Sequence, residues 1–178
     1  LMMTGCSRGG DEKVSTIYGA TMGTFYSVKY VDPPPGVSDN SLQDGIERVL
    51  AGVSDLMSTY QPDSELSRLN KVPRNQAFTV SPETMDVLSL SLMLWEDTGG
   101  AFDITLGPVV NLWGFGPEEW AGAIPDNGML EVAINRAGSG KIVLEESTGT
   151  VVKTGDVHID LSAVAKGHGV DRVADFLE

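Results

Sequence analysis

"IDLSAVAKGHGVDRVADFL", residues 159–177, carries the reading of the fold. With the alternation of "DVHIDL" just before and into it, the stretch reads as a strand running straight into a helix. Val170, Val173, Ala174 and Leu177 recur at helical spacing and mark a buried stripe. One turn before Val170, on the same face, stands Lys166. Two explanations of that lysine are open. If Ser162 caps the helix, the free N–H groups of Ala163 to Ala165 make a site for anionic oxygens. Lys166 then adds charge on the same side, and Gly167 permits close approach. Alternatively, the lysine lays its stem over the edge of the core. His168 reads as a surface residue or a filler, with no partner to make it a base.

Upstream of this stretch, helices and strands are mixed without regular βαβ alternation, which makes α+β the class. Residues 14–32 are rich in β-branched and aromatic side chains, broken at Gly23, and form one interrupted strand or two. "PPPG" (33–36) is a turn, and Ser41 to Met57 is an amphipathic helix. "TYQPDSELSRLN" (59–70) is a loop with a short helical turn after it. Ser81-Pro82 opens a helix that stops at Gly99-Gly100. Residues 101–116 are apolar and broken by Gly and Pro, more like a site segment than a regular element. A helix over "GMLEVAINRAG" and a hairpin over "KIVLEESTGTVVKTG" lead back to the final strand and helix.

The totals bound the function. The 178 residues carry 12 Lys and Arg against 25 Asp and Glu, a net charge of −13, which disfavours nucleic acid and anionic membrane surfaces as partners. A polyphosphate ligand needs local help from a helix N-terminus, a lysine or a divalent cation. One cysteine, Cys6, excludes a disulfide within the chain and a Cys-based zinc site. "LMMTGCSRGGDEK" resembles the end of a bacterial lipoprotein signal, in which the cysteine takes the lipid, with residues 1–13 as signal end and tether. "GSGK" (138–141) lacks the remaining residues of a phosphate-binding Walker loop and reads as a helix cap and turn.

Singly, the other candidates are ambiguous. Met22 in "TMGT" fits a bulged strand with a core methionine. Tyr60 presents its ring to a planar ligand or simply packs. Asp103, one acid among small and apolar residues, is costly unless it is paired or capping something. Together, however, "GATMGTFYSVK", "STYQPDSELSRLN", "GGAFDITLGPVVNLWGFG" and "DLSAVAKGHGVDRVA", in this order and spacing, closely resemble the FAD:protein FMN transferase family, the ApbE-like flavin transferases.

The resemblance implies an α+β, T-fold-related domain with a mixed sheet and packed helices. It also implies Mg²⁺-dependent transfer of FMN from FAD to a threonine or serine of an acceptor protein, with release of AMP. Acceptors are typically flavin-bearing subunits of membrane redox complexes. Hydrolysis of FAD to FMN and AMP, or FAD binding without catalysis, are the alternatives. Carried over by motif, Met22, Tyr60, Ala101, Phe102, Asp103, Asp160 and Lys166 match FAD-contacting positions, and Ala163 offers a main-chain carbonyl to the metal. Cys6 fits the lipid-anchored, periplasm-facing habit of many members. His168 stands where the family usually has Tyr. The family's remaining metal ligands belong to a C-terminal half. The chain is therefore expected to be the N-terminal part of the domain (14–178), apparently truncated, and as given to bind Mg²⁺ poorly.

Overall fold

The computed structural model describes residues 14–31, 33, 35–118 and 122–178; Cys6 and its tether lie outside the described residues. The β-rich start resolves into two strands, β1 (Val14–Thr21) and β2 (Thr24–Val31), paired antiparallel from Val14↔Val31 to Thr21↔Thr24. Only Met22 and Gly23 connect them, with φ of 49° and 69°. Positive φ at both positions marks the two-residue turn whose twist matches the strands. Met22 is therefore a turn residue rather than part of a bulged strand.

Helix α1 (Asp39–Met57) starts in a capping box formed by Ser38 and Ser41. Helix α2 (Glu65–Lys71) begins within the stretch expected to be loop, because the Ser64 hydroxyl caps the Ser67 N–H. Strand β3 (Ala77–Thr79) precedes α3 (Pro82–Asp97), which has Ser81 at its cap and Pro82 in its first turn. It ends before Gly99 and Gly100, both at positive φ. The buried Glu65 carboxylate accepts hydrogen bonds from the N–H and hydroxyl of Ser81, joining the starts of α2 and α3.

Helices α4 (Gly107–Leu112) and α5 (Asn127–Arg136) follow. The "GSGK" segment then forms a short 3₁₀ turn, and the Lys141 ammonium donates to the carbonyls of Asn135, Arg136 and Ala137 at the end of α5. It is a cap and turn, as its sequence indicates. Strands β4 (Ile142–Glu145) and β5 (Thr150–Lys153) make the expected hairpin, and β3 adds to β5, giving the order β3-β5-β4 with antiparallel pairing throughout. Helix α6 (Ser162–Leu177) closes the described chain.

The core has two parts. The larger gathers Val53, Leu66, Leu69, Leu88, Ile104 and Val151 with Ile159 and Leu161; the smaller gathers Ile17, Ile46, Leu50 and Val173 under the β1–β2 hairpin. Each large apolar side chain so buried contributes about 1.5–3 kcal/mol. Met22 packs against both parts.

Two expectations at the C-terminal end are corrected. Residues 157–161 form no strand among the described residues, although Val157, Ile159 and Leu161 are buried, and Leu161 has already left the extended region at φ −93° and ψ 9°. The Asn70 side chain takes the place of a strand partner, donating to the Ile159 carbonyl and accepting from its N–H, both at 2.8 Å. The buried stripe of α6 is Ala165, Gly169 and Val173, while Val170 is 68% exposed. The cause is the closeness of α1. A Cβ on Gly169 would lie 3.3 Å from Leu50, and one on Gly45 would run into the Phe176 ring. Small residues therefore face the neighbour and rotate Val170 outward. Gly167, by contrast, meets open space.

Candidate functional site

Three elements converge on a cleft of about 550 Å³. The β1–β2 turn supplies Met22, the loop after α1 supplies Tyr60, and the first turns of α6 supply Ser162 and Lys166. Phe115, just beyond α4, closes another side. Met22, Tyr60 and Lys166, separate in the sequence, thus share one wall system.

Each is held by local chemistry. Met22 sits in the left-handed region, which disfavours side chains; packing of its flexible thioether against both core parts offsets that strain. The Tyr60 N–H donates to Ser58 Oγ (3.1 Å), and its phenol donates to the Phe115 carbonyl (3.1 Å). The two rings remain 65% and 78% exposed. Two exposed aromatic faces, the Tyr60 ring pinned through its phenol to the Phe115 backbone, suit a planar ligand.

Lys166 is exposed on the cleft side of α6, so the reading of a cation directed at the core is replaced by one of a cation facing the cleft. The cap differs from expectation. Ser162 is the first helical residue and Leu161 occupies the cap position without a side-chain hydrogen bond; Asp160, one residue earlier, accepts at Oδ1 from the Ser162 N–H (2.8 Å) and hydroxyl (2.5 Å). The N–H groups of Val164 and Ala165 return to the Leu161 carbonyl. Two of the three amides expected to be free for an anion are thus engaged.

Ala101, Phe102, Asp103, Asp160 and Ala163 lie outside the cleft wall. Ala101 is exposed, and Phe102 packs half-buried against the larger core. Asp103 ties two loops together, accepting from the N–H and hydroxyl of both Thr105 and Ser139. Thr105 Oγ1 in turn accepts from the Gly138 N–H at 2.6 Å. Burial is the largest single influence on the Asp103 carboxyl and pushes its pKa up. The hydrogen bonds from Thr105 and Ser139 together outweigh it and hold the pKa below the ordinary value. The Asp160 N–H donates to the Ile104 carbonyl at 2.7 Å, which brings the 101–105 segment against the approach to α6.

His168 has the partner its sequence did not reveal: its Nε2 lies 2.7 Å from Glu83 Oε1. Sequence reasoning also missed Phe115 and Asn70. Both stand in motifs quoted above, but as residue types they read as packing and capping.

A second, larger cavity of about 770 Å³ lies between α4 and α5, lined by Pro108, Leu112, Met129, Arg136 and His158 among others. It contains none of the residues singled out from the sequence. The smaller cleft, where three candidates meet, is the better site. At the edge of the larger cavity, burial lowers the His158 pKa, aided by Lys153 and opposed by Asp160 and Glu118.

Among the described residues, no group of three or more His, Cys, Asp or Glu side chains is placed to hold a metal ion. Ala163 contributes a carbonyl within a helix. This donor set alone does not fit a Mg²⁺ site.

The ApbE family model matches residues 22–178. The FAD:protein FMN transferase of Vibrio cholerae is 39% identical over 178 residues, covering all of this chain and 52% of that protein. That of Haemophilus influenzae is 40% identical over 183 residues, with the same coverage. The solved flavin transferase ApbE from Vibrio cholerae superposes with a TM-score of 0.88 at 41% identity, over 93% of this chain and 53% of that one. The chain spans about half the length of the curated relatives it matches. By the extent of the family match and by its α+β fold, the chain belongs to the ApbE family.

Proposed function

We propose that the complete gene product transfers FMN from FAD to a threonine or serine hydroxyl of an acceptor protein, in a Mg²⁺-dependent reaction that releases AMP. The observation that carries this reading is the meeting of Met22, Tyr60 and Lys166 in one cleft. The acceptor oxygen attacks the phosphorus on the FMN side, the P–O–P bond breaks, AMP leaves and the hydroxyl proton passes to solvent. Such a reaction depends on positioning and on offsetting phosphate charge. In this chain Tyr60 and Met22 hold the planar ring, and Lys166 provides positive charge beside the phosphates. No step is assigned to Mg²⁺, because these residues do not make its site.

Ala101, Phe102, Asp103 and Asp160 belong to the same proposal as contacts along the dinucleotide, and Ala163 as a carbonyl ligand of the metal. The acceptor is proposed to be a flavin-bearing subunit of a membrane redox complex. The enzyme is proposed to face the periplasm, held by a lipid on Cys6. No helix among the described residues is long and apolar enough to cross a membrane.

The test combines the complete gene product, FAD, MgCl₂ and a candidate acceptor domain, and follows acceptor mass and released nucleotide. An FMN-sized mass gain together with AMP is expected, and Lys166→Ala should reduce both. Free FMN and AMP beside an unmodified acceptor would replace transfer by hydrolysis. Bound but intact FAD would leave a binding protein.

A further inference from the structure

The cleft has two walls that lie far apart in sequence, the Tyr60 loop and the start of α6, and the short helix α2 is fastened to both. At its first end, the Ser64 hydroxyl donates to the Ser58 carbonyl (2.5 Å), and Ser58 Oγ accepts the Tyr60 N–H (3.1 Å). Lys71 also reaches back to the Pro62 carbonyl (2.7 Å), securing the far side of the same loop. At its last turn, Asn70 holds Ile159, 89 positions later, through two hydrogen bonds of 2.8 Å. Only one orientation of that amide works, since the reverse would set oxygen against oxygen and N–H against N–H. Asn70 is itself braced from β5, as the ammonium of the buried Lys153 donates to its carbonyl at 2.8 Å.

We propose that Asn70 is a positioning residue of the flavin site: by gripping the backbone of Ile159, it sets the start of α6, and with it Lys166, at a fixed distance from Tyr60. This rests on the reading of the cleft as the flavin site. Asn70 is not on the cleft wall, so it acts through the residues it holds. Ile159 is followed by Asp160, whose N–H is tied to the Ile104 carbonyl and whose carboxylate accepts from the Ser162 N–H. Two consecutive residues are therefore held at separate points just before α6 begins. The Ile159 side chain is fully buried in the larger core, and the paired hydrogen bonds from Asn70 add a directional hold on its backbone.

The experiment uses Asn70→Ala and Asn70→Asp in the complete gene product. Binding is read by FAD titration and backbone opening by hydrogen exchange over residues 159–166, from pH 5 to 8. Asn70→Ala is expected to weaken FAD binding about tenfold and to speed exchange in that segment.

Asn70→Asp has a distinctive signature. As a carboxylate it accepts from the Ile159 N–H but repels the Ile159 carbonyl. Protonated, it donates as well and restores both bonds, so its deficit relative to wild type should shrink as pH falls. Lys153 and His158 face this position, with Asp156 beside Lys153, so wild type over the same pH range is the reference.

A merely structural role would leave FAD affinity of the folded variants equal to wild type at every pH, and that result would overturn the proposal. Unchanged exchange over 159–166 in Asn70→Ala would overturn it too. Wild-type protein that leaves FAD unbound would instead sink the flavin reading, and the strut would then stand or fall on exchange alone.

Discussion

The Nε2 atom of His168 lies 2.7 Å from Oε1 of Glu83, tying the middle of α6 to the first turn of α3. Arg172, one turn further along α6, brings its Nε to 3.5 Å of the same carboxylate oxygen and pairs with Asp175 at 2.9 Å. The contact is partly exposed, where such pairs are worth at most about 1 kcal/mol. A double-mutant cycle of His168→Ala and Glu83→Ala, read by urea unfolding, should give a coupling of roughly 0.5–1 kcal/mol. A coupling of zero would mean that the pair adds nothing to α6 packing in solution.

Asp103 yields a pH prediction. Its carboxyl is held below the ordinary carboxylate value in the folded chain. A depressed folded pKa gives stability that is fully present above the unfolded value, about 3.9, and is lost as pH falls through the folded one. Asp103→Asn loses the charged acceptor of the Thr105 and Ser139 bonds and should cost about 2 kcal/mol at pH 7. The gap between variant and wild type should narrow below pH 4. A gap that stays constant from pH 7 to pH 3 would show that the charge on Asp103 is not what joins the two loops.

The contact of α6 with α1 and the hairpin turn predicts a size limit at Gly169. A Cβ there stands 3.3 Å from Leu50 and 3.4 Å from Met22. Gly169→Leu should therefore destabilise the fold by about 1–3 kcal/mol through overpacking. Because Met22 is one of the displaced neighbours, FAD affinity of the folded variant should fall as well. Unfolding by denaturant and flavin titration separate the two effects; full stability would show that the helices part more easily than their spacing implies.

Elements whose signals are local are legible in the sequence. Ser81-Pro82 before α3, Gly99-Gly100 after it and the β4–β5 hairpin all stand where the chain's own punctuation puts them. What fails is what depends on a distant partner. Residues 157–161 alternate like a strand, but the Ile159 backbone is held by a side chain from α2 and the Asp160 N–H by the Ile104 carbonyl, partners that no local pattern encodes. The α6 stripe is only partly read: Val173 and Leu177 pack into the core as expected, but close helix packing also buries the small Ala165 and Gly169 and exposes Val170, so counting apolar residues rotates the face. In the site, Met22 and Tyr60 are found through motifs rather than physics, since Met is a poor candidate for a left-handed turn and Tyr60 alone looks like packing, whereas Lys166 already stands out by its helical spacing. The fastening of His168 and Asp103 depends on Glu83 and Ser139, far away in sequence, and needs the folded chain to be seen.

Tyr60 separates ring contact from loop tethering in the proposed flavin site. Its phenol makes one exposed hydrogen bond, to the Phe115 carbonyl, while its ring stays open to the cleft. Tyr60→Phe keeps the ring and loses only a bond that water can replace, so FAD affinity should change by less than about threefold. Tyr60→Ala removes the aromatic face, worth about 1–3 kcal/mol against a stacked base, and should weaken binding about tenfold or more. Because Tyr60 is exposed, both variants should unfold within about 0.5 kcal/mol of wild type, so a loss of binding would not be a loss of fold. Equal weakening in both variants would transfer the role to the Tyr60–Phe115 tether, with the loop position rather than the ring face holding the flavin.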